Sequence, residues 1–230
     1  KLIGTNHLEG HLYSFLLSPE WQKIRNKKNV FPAIALIVSG GHTIILKMES
    51  ITKRKKIGET RDDAVGEAYD KVARMLNLPY PGGPEIEKLA KKGDPNTINF
   101  PRPMINSKEF DFSYSGLKTS VLYYLRDNKN YKKADVAASF QASAIDVLLT
   151  KTMRAARQFG ARSIMVSGGV ASNKSLRKGL KTLSQKLKIN FLPSTMKFNT
   201  DNATMIAVAG YISYLRQKNH AIRAQGILSL

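Results

Sequence analysis

Two strand-like segments in this chain run into the same three residues. Residues 33–38 are purely aliphatic and continue into Ser39-Gly40-Gly41; residues 163–166 continue through Ser167 into Gly168-Gly169. Glycine lets backbone N–H groups approach an anion closely. The second turn leads into a helical pattern, so its N–H groups lie at a helix N-terminus, where the dipole favours phosphate. A single strand followed by Gly-Gly is an ordinary turn. Two in one chain, each preceded by Ser, point to a cleft that grips a phosphate or nucleotide from both sides. Neither is a P-loop, since no Gly-Lys-Ser/Thr follows, and neither matches Gly-x-Gly-x-x-Gly.

The remaining periodicities fix the fold class. Residues 33–38 and 43–48 form a hairpin around the first turn. Residues 51–57 read as an exposed edge strand blunted by Lys53-Arg54-Lys55-Lys56. Helices are predicted over 6–17, 65–76, 85–92, 116–126, 134–159, from the second turn to about 187, and over 201–218. Gly160 is placed to cap the long helix. Residues 163–166 and 189–192 are short strands. Residues 19–29 and 93–108 read as connectors, and Pro81-Gly82-Gly83-Pro84 as a stop. A hairpin, an edge strand, helices and then strand-helix-strand-helix give an α/β architecture with a mixed sheet.

The residues with metal-ligand chemistry lie at the chain's ends. His7 and His11 are four apart in Asn6-His7-Leu8-Glu9-Gly10-His11, so both imidazoles project from one helical face. The chain has four histidines, and the other two are His42 and His220. Half of a rare residue type within one helical turn favours a ligand pair over two unrelated side chains. Asp201 is the best third ligand. A zinc protease is disfavoured, because His-Glu-x-x-His places its base directly after the first histidine. Here Glu9 comes one residue later, turned about 100° around the helix.

Other polar positions are open between two uses. Asp70, on the exposed side of the 65–76 helix, suits a ribose or substrate amine, or plain surface. Asn173 suits a helix cap or a ligand contact. No Ser-His-Asp or Cys-His set is visible, and no catalytic residue is named. There is no cysteine, which fits a reducing cytosol, and no apolar run long enough to span a bilayer. Lys and Arg total 37 against 17 acids, a net charge of +20, which favours a polyanionic partner such as nucleic acid or reflects a lysine-rich proteome.

These stretches, in this order, resemble the universal tRNA N6-adenosine threonylcarbamoyltransferase family, whose bacterial members were once called glycoproteases. The resemblance is carried by residues 6–11, 36–43, Gly58-Glu59-Thr60, Asp62-Asp63-Ala64, 66–71 and 80–84. It continues through 112–119, 168–173 with Leu176-Arg177, and 200–203. Phe112-Ser113-Tyr114-Ser115-Gly116-Leu117-Lys118-Thr119 is similar to the bacterial or organellar branch.

The resemblance implies an actin-like, sugar-kinase-like (ribonuclease H-like) fold of two lobes around a cleft. It implies transfer of threonylcarbamoyl from threonylcarbamoyl-AMP to N6 of adenosine 37, in tRNAs reading codons that begin with A. His7, His11 and Asp201 would bind one divalent metal, iron or zinc. Ile37, Val38, Ser39, Gly40, Gly41, Asp70, Gly83 and Asn173 would bind the adenylate. The implied partners are tRNA, a paralogous dimerisation partner and a small ATPase, all in the cytoplasm and without a membrane.

The chain departs from the family at its start, where members carry ~100 further residues. Residues 1–29 would then be a remnant of the first lobe, 30–199 a complete second lobe, and 200–230 a helix returning to the first. The stripe Leu8, Leu12, Phe15, Leu16, Ile206 and Ile212 would lie exposed where the first lobe's sheet is missing. Asn199 stands where bacterial members often have Cys. Two further readings are a scaffold lobe of the same family without activity, and an actin-like small-molecule kinase.

Overall fold

The computed structural model describes residues 2–26, 29–217 and 230. Its centre is a five-stranded sheet in the order β3-β2-β1-β4-β5. The strands are β1 (Ala33–Val38), β2 (Thr43–Met48), β3 (Arg54–Glu59), β4 (Ser163–Ser167) and β5 (Asn190–Pro193). β1 pairs antiparallel with β2 and parallel with β4, so the sheet changes sense at its middle strand. All six residues of β1 are buried. That is the pattern of a strand covered on both faces, and it explains the uninterrupted aliphatic run.

Period-two alternation divides the side chains between two cores. Ile34, Leu36, Val38, Ile45, Ile164 and Val166 face one layer. That layer is built by α3 (Val65–Met75), α4 (Gly82–Ala90), α5 (Ser115–Asp127), α6 (Lys133–Gln158) and α7 (Lys174–Leu187). Ala33, Ala35, Ile37, Ile44, Leu46 and Met48 face the other. That face is covered by α1 (His7–Tyr13), a 3-10 turn at Ser14–Leu17, α2 (Pro19–Ile24) and α8 (Ala203–Leu215).

The helices at the chain's ends therefore pack on this sheet. Leu8, Leu12, Phe15 and Ile212 are at most 5% exposed, and Leu16 and Ile206 are half-buried, so the expected bare stripe does not exist. What α8 leaves outside is Tyr211, Tyr214 and Leu215. Residues 19–29 are not all connector. Ser18 accepts a hydrogen bond from Trp21 N at 3.1 Å and Pro19 opens α2, a cap-plus-proline signal the basic composition masked. Gly82 and Gly83 do not precede α4 but begin it. β3 starts at Arg54, three residues beyond the expected start, and lies at the sheet's edge with Lys56 paired to Glu59 at 2.9 Å. The part of the predicted last helix beyond 217, and His220, lie outside the described residues. Among those described, no helix is long and apolar enough to cross a membrane.

One buried cation makes the fold pH-sensitive. Lys151 on α6 is fully buried and donates to Ser107 Oγ at 2.9 Å and to the Glu109 carbonyl at 3.0 Å. Burial first, and then Arg154, push its pKa down to about 8. Between that value and an ordinary lysine pKa the unfolded chain holds the proton and the folded chain does not, so this residue's contribution to stability rises with pH across the window. Urea melts between pH 7.5 and 10 on the chain and on Lys151→Met should show this rise only in the former.

Candidate functional site

The parallel pairing of β1 and β4 brings the two glycine turns together, with Ile37 opposite Ser167. In the first turn Ser39 N donates to the His42 carbonyl at 2.8 Å and Ser39 Oγ accepts from His42 N at 3.1 Å. The glycines divide into two kinds. Gly168 has φ 93°, and a Cβ there would sit 2.3 Å from the Val38 carbonyl oxygen. At Gly66, on α3, a Cβ would sit 2.5 Å from the Ser39 carbonyl oxygen. These two let backbone meet backbone. At Gly40, Gly41, Gly83 and Gly169 an added Cβ meets nothing within 4 Å, because they border open space.

Part of that space is a cleft of 320 Å³ lined by Gly40, Asp70, Gly83, Gly169, Asn173 and Thr200, with Tyr80, Glu87 and Ser172 among the other walls. The volume lies in the range of small-ligand sites. Asp70 is not plain surface. It is half-buried, and its Oδ1 accepts from Gly82 N at 2.8 Å, which ties α3 to the start of α4. Asn173 is a helix cap that also borders the cleft. Its Oδ1 accepts from Leu176 N at 3.0 Å as the cap of α7, its Nδ2 donates to Gln141 Oε1 at 2.8 Å, and it walls the cleft. Ile37 and Val38 are fully buried, one in each core, so their side chains do not reach the cleft. Ser39 and Gly41 belong to the turn but are not among the lining residues. Glu87 and Tyr80 were missed. Glu87 Oε1 accepts from Lys174 N at 3.1 Å, and Tyr80 is 84% exposed beside the Pro-Gly-Gly-Pro stretch that could have flagged it.

The second feature adjoins the first, for the residue after Thr200 is Asp201. Asn6 caps α1 through Leu8 N at 2.8 Å, and Asn202 caps α8 through Met205 N at 2.9 Å. The two helices touch at Gly10, where a Cβ would lie 3.1 Å from Met205 Cγ. That close approach puts His7 Nε2 3.3 Å and His11 Nε2 3.1 Å from one atom, Asp201 Oδ1. One ligand atom from each of the three lies within 4.8 Å of the others. Burial and then His7 push the His11 pKa down, against the pull of Asp201; burial and His7 likewise lower that of His42. The set fits a divalent ion: two imidazoles and a carboxylate converging on one point, with the neutral form of His11 favoured by its burial. Nδ1 of His11 is buried without a hydrogen-bond partner, so the ring's polar outlet is toward that point.

Glu9 faces away. It is 1% exposed, bonded to Arg54, with Arg216 Nη1 at 3.6 Å and Ser213 Oγ at 3.3 Å. Asn199 is buried and ties the end of β5 to the cleft wall. Its Nδ2 donates to Ser172 Oγ at 2.8 Å and its Oδ1 accepts from Ser194 Oγ.

A sheet of this order, with glycine turns at the carboxyl ends of adjacent parallel strands, defines the actin-like class. The HypF protein of T. kodakarensis superposes with a TM-score of 0.69 over 95% of this chain and 37% of its own, at 17% identity. Component A of the (R)-2-hydroxyglutaryl-CoA dehydratase of Acidaminococcus fermentans superposes at 0.52, covering 91% of this chain and 68% of its own, at 16% identity. The family is then given by the sequence: residues 1–208 match the model of tRNA N6-adenosine threonylcarbamoyltransferase, and the chain belongs to that family. Relatives of that name are 49% identical over 93% of this chain in Thermosipho africanus and 48% identical over 94% in Moorella thermoacetica. The chain spans 63% and 62% of the lengths of those relatives.

Proposed function

We propose that this chain carries the adenylate and metal sites of a tRNA N6-adenosine threonylcarbamoyltransferase. The substrate would be threonylcarbamoyl-AMP, the acceptor N6 of adenosine 37 in tRNAs reading ANN codons, and the products modified tRNA and AMP. The observation that carries this reading is the junction at Thr200 and Asp201. Thr200 walls the nucleotide-sized cleft, and its neighbour collects both histidines.

In this reading Gly40, Gly83 and Gly169 leave room for the nucleotide, while Asp70 and Asn173 orient its polar groups. Backbone N–H groups of the two turns hold the phosphate, so that AMP departs as a stabilised anion. His7, His11 and Asp201 hold one iron or zinc ion. When bound, the ion supplies Lewis-acid polarisation of a carbonyl. The chain's own contribution is positioning, which by itself supplies large rate factors. Residues 30–199 form the nucleotide-holding lobe, and residues 1–29 and 200–230 bring the metal ligands to it. Adenosine 37 reaches the cleft splayed from its loop. The full enzyme works in the cytoplasm with a paralogous dimerisation partner and a small ATPase.

The test has two parts. Asp201→Ala should lose most of the bound metal measured by elemental analysis, and full occupancy would sink the ligand assignment. AMP release from threonylcarbamoyl-AMP should depend on tRNA when the partner proteins and the remaining length of the family are supplied. Binding of AMP and tRNA without release under those conditions would support the inactive scaffold instead.

A further inference from the structure

Several cations of the fold are paired with acids. Lys47 and Lys53 share Glu49, Lys56 meets Glu59, and Lys71 and Lys118 share Asp63. Helix α7 is different. Between Lys174 and Leu187 it has five Lys and Arg residues and no acid. Arg177 is used internally, donating to the carbonyls of Ala171 and Ser194, each at 2.5 Å. Lys174, Lys178, Lys181 and Lys186 are exposed, and no carboxylate among the described residues lies within ion-pair distance of them. Lys174, Lys178 and Lys181 recur at i, i+4 and i+7, hence on one face. Like charges at these spacings destabilise a helix, so the arrangement works against the fold that carries it.

Geometry gives this face a direction. The helix begins at the cleft, where its cap Asn173 is a wall and Lys174 N bonds Glu87. It runs about 21 Å from there. Alongside lies a groove of 450 Å³ with a floor of Leu149, Met153 and Leu183, and with Lys178 and Lys186 on its rim. We propose that the lysine face of α7 is a docking track for the phosphate backbone of tRNA, leading away from the cleft. This rests on the reading of tRNA as acceptor. Ammonium groups neutralise the backbone without reading sequence, while the apolar floor faces the sugars.

The experiment measures binding of an unmodified tRNA transcript that reads an ANN codon, across a salt titration. The proteins are the 230-residue chain, a Lys178→Gln/Lys181→Gln/Lys186→Gln variant, and a Lys53→Gln/Lys55→Gln/Lys56→Gln variant with the same loss of charge on the edge strand. The α7 variant should lose at least about tenfold in affinity at low salt, and its log–log salt slope should fall by about 2. The edge-strand variant should stay near the parent in both. AMP affinity, measured by calorimetry, should be equal in all three. Equal losses in both variants would reduce the effect to net charge and overturn the track. An unchanged slope in the α7 variant, with tRNA still bound, would also overturn it. Absence of salt-dependent tRNA binding by the parent chain would instead remove the acceptor reading on which the track rests.

Discussion

Arg54→Met should lower the unfolding free energy by about 3–5 kcal/mol. Arg54 is the closest charge partner of Glu9, whose carboxylate is enclosed between α1, α8 and the edge strand. Removing the guanidinium leaves an anion in a low-dielectric site with Arg216 at 3.6 Å and the Ser213 hydroxyl at 3.3 Å. Tyr13 also loses a partner, since Arg54 Nη1 donates to its hydroxyl at 2.8 Å. The double variant Glu9→Met/Arg54→Met should recover most of the loss, because two apolar side chains replace the buried pair together. Urea denaturation of the parent, both singles and the double closes the cycle. A loss below about 1 kcal/mol in Arg54→Met would show that Glu9 is held by other groups.

The second large effect separates neighbouring glycines. Gly168→Ala should cost about 2–3 kcal/mol, since φ 93° is a glycine conformation and the new methyl would meet the Val38 carbonyl oxygen at 2.3 Å. Gly169→Val, one residue on, should stay within about 1 kcal/mol of the parent, because its side chain enters open space. That space is the cleft, so this variant should keep its fold and lose at least about tenfold in AMP affinity. Denaturation and calorimetry on both proteins decide the matter. Unchanged AMP binding by Gly169→Val would place the nucleotide elsewhere.

The strands were legible because burial on both faces leaves an aliphatic signature that alternation does not blur, as in β1. The helical pair His7 and His11 was legible because spacing alone puts two side chains on one face. Convergence with Asp201 depends on how α1 meets α8, and the cause is Gly10, which looks in sequence like any other glycine. The destination of the end helices was misjudged for a related reason. Leu8, Leu12 and Phe15 announce that a surface will be covered but not which one, and the sheet's second face was available. Asn199 and Glu87 act through hydrogen bonds to residues far along the chain, Ser172 and Lys174. No local pattern encodes such a partner. The cap at Ser18 is a local signal, Ser-Pro ahead of Trp21, that the basic composition of residues 19–29 obscures.

β1 is paired along both edges and covered on both faces. Its amides can meet solvent deuterium only when the whole unit opens, so they should exchange at the rate of global unfolding. β3 is paired along one edge, and its register with β2 shifts between Ile45 and Leu46. Its amides should exchange through local openings of much lower free energy. Both glycine turns hang from the slow-exchanging centre, on β1 and its neighbour β4. A ligand entering between them would find its backbone donors already fixed, and little of its binding energy would go to ordering the protein.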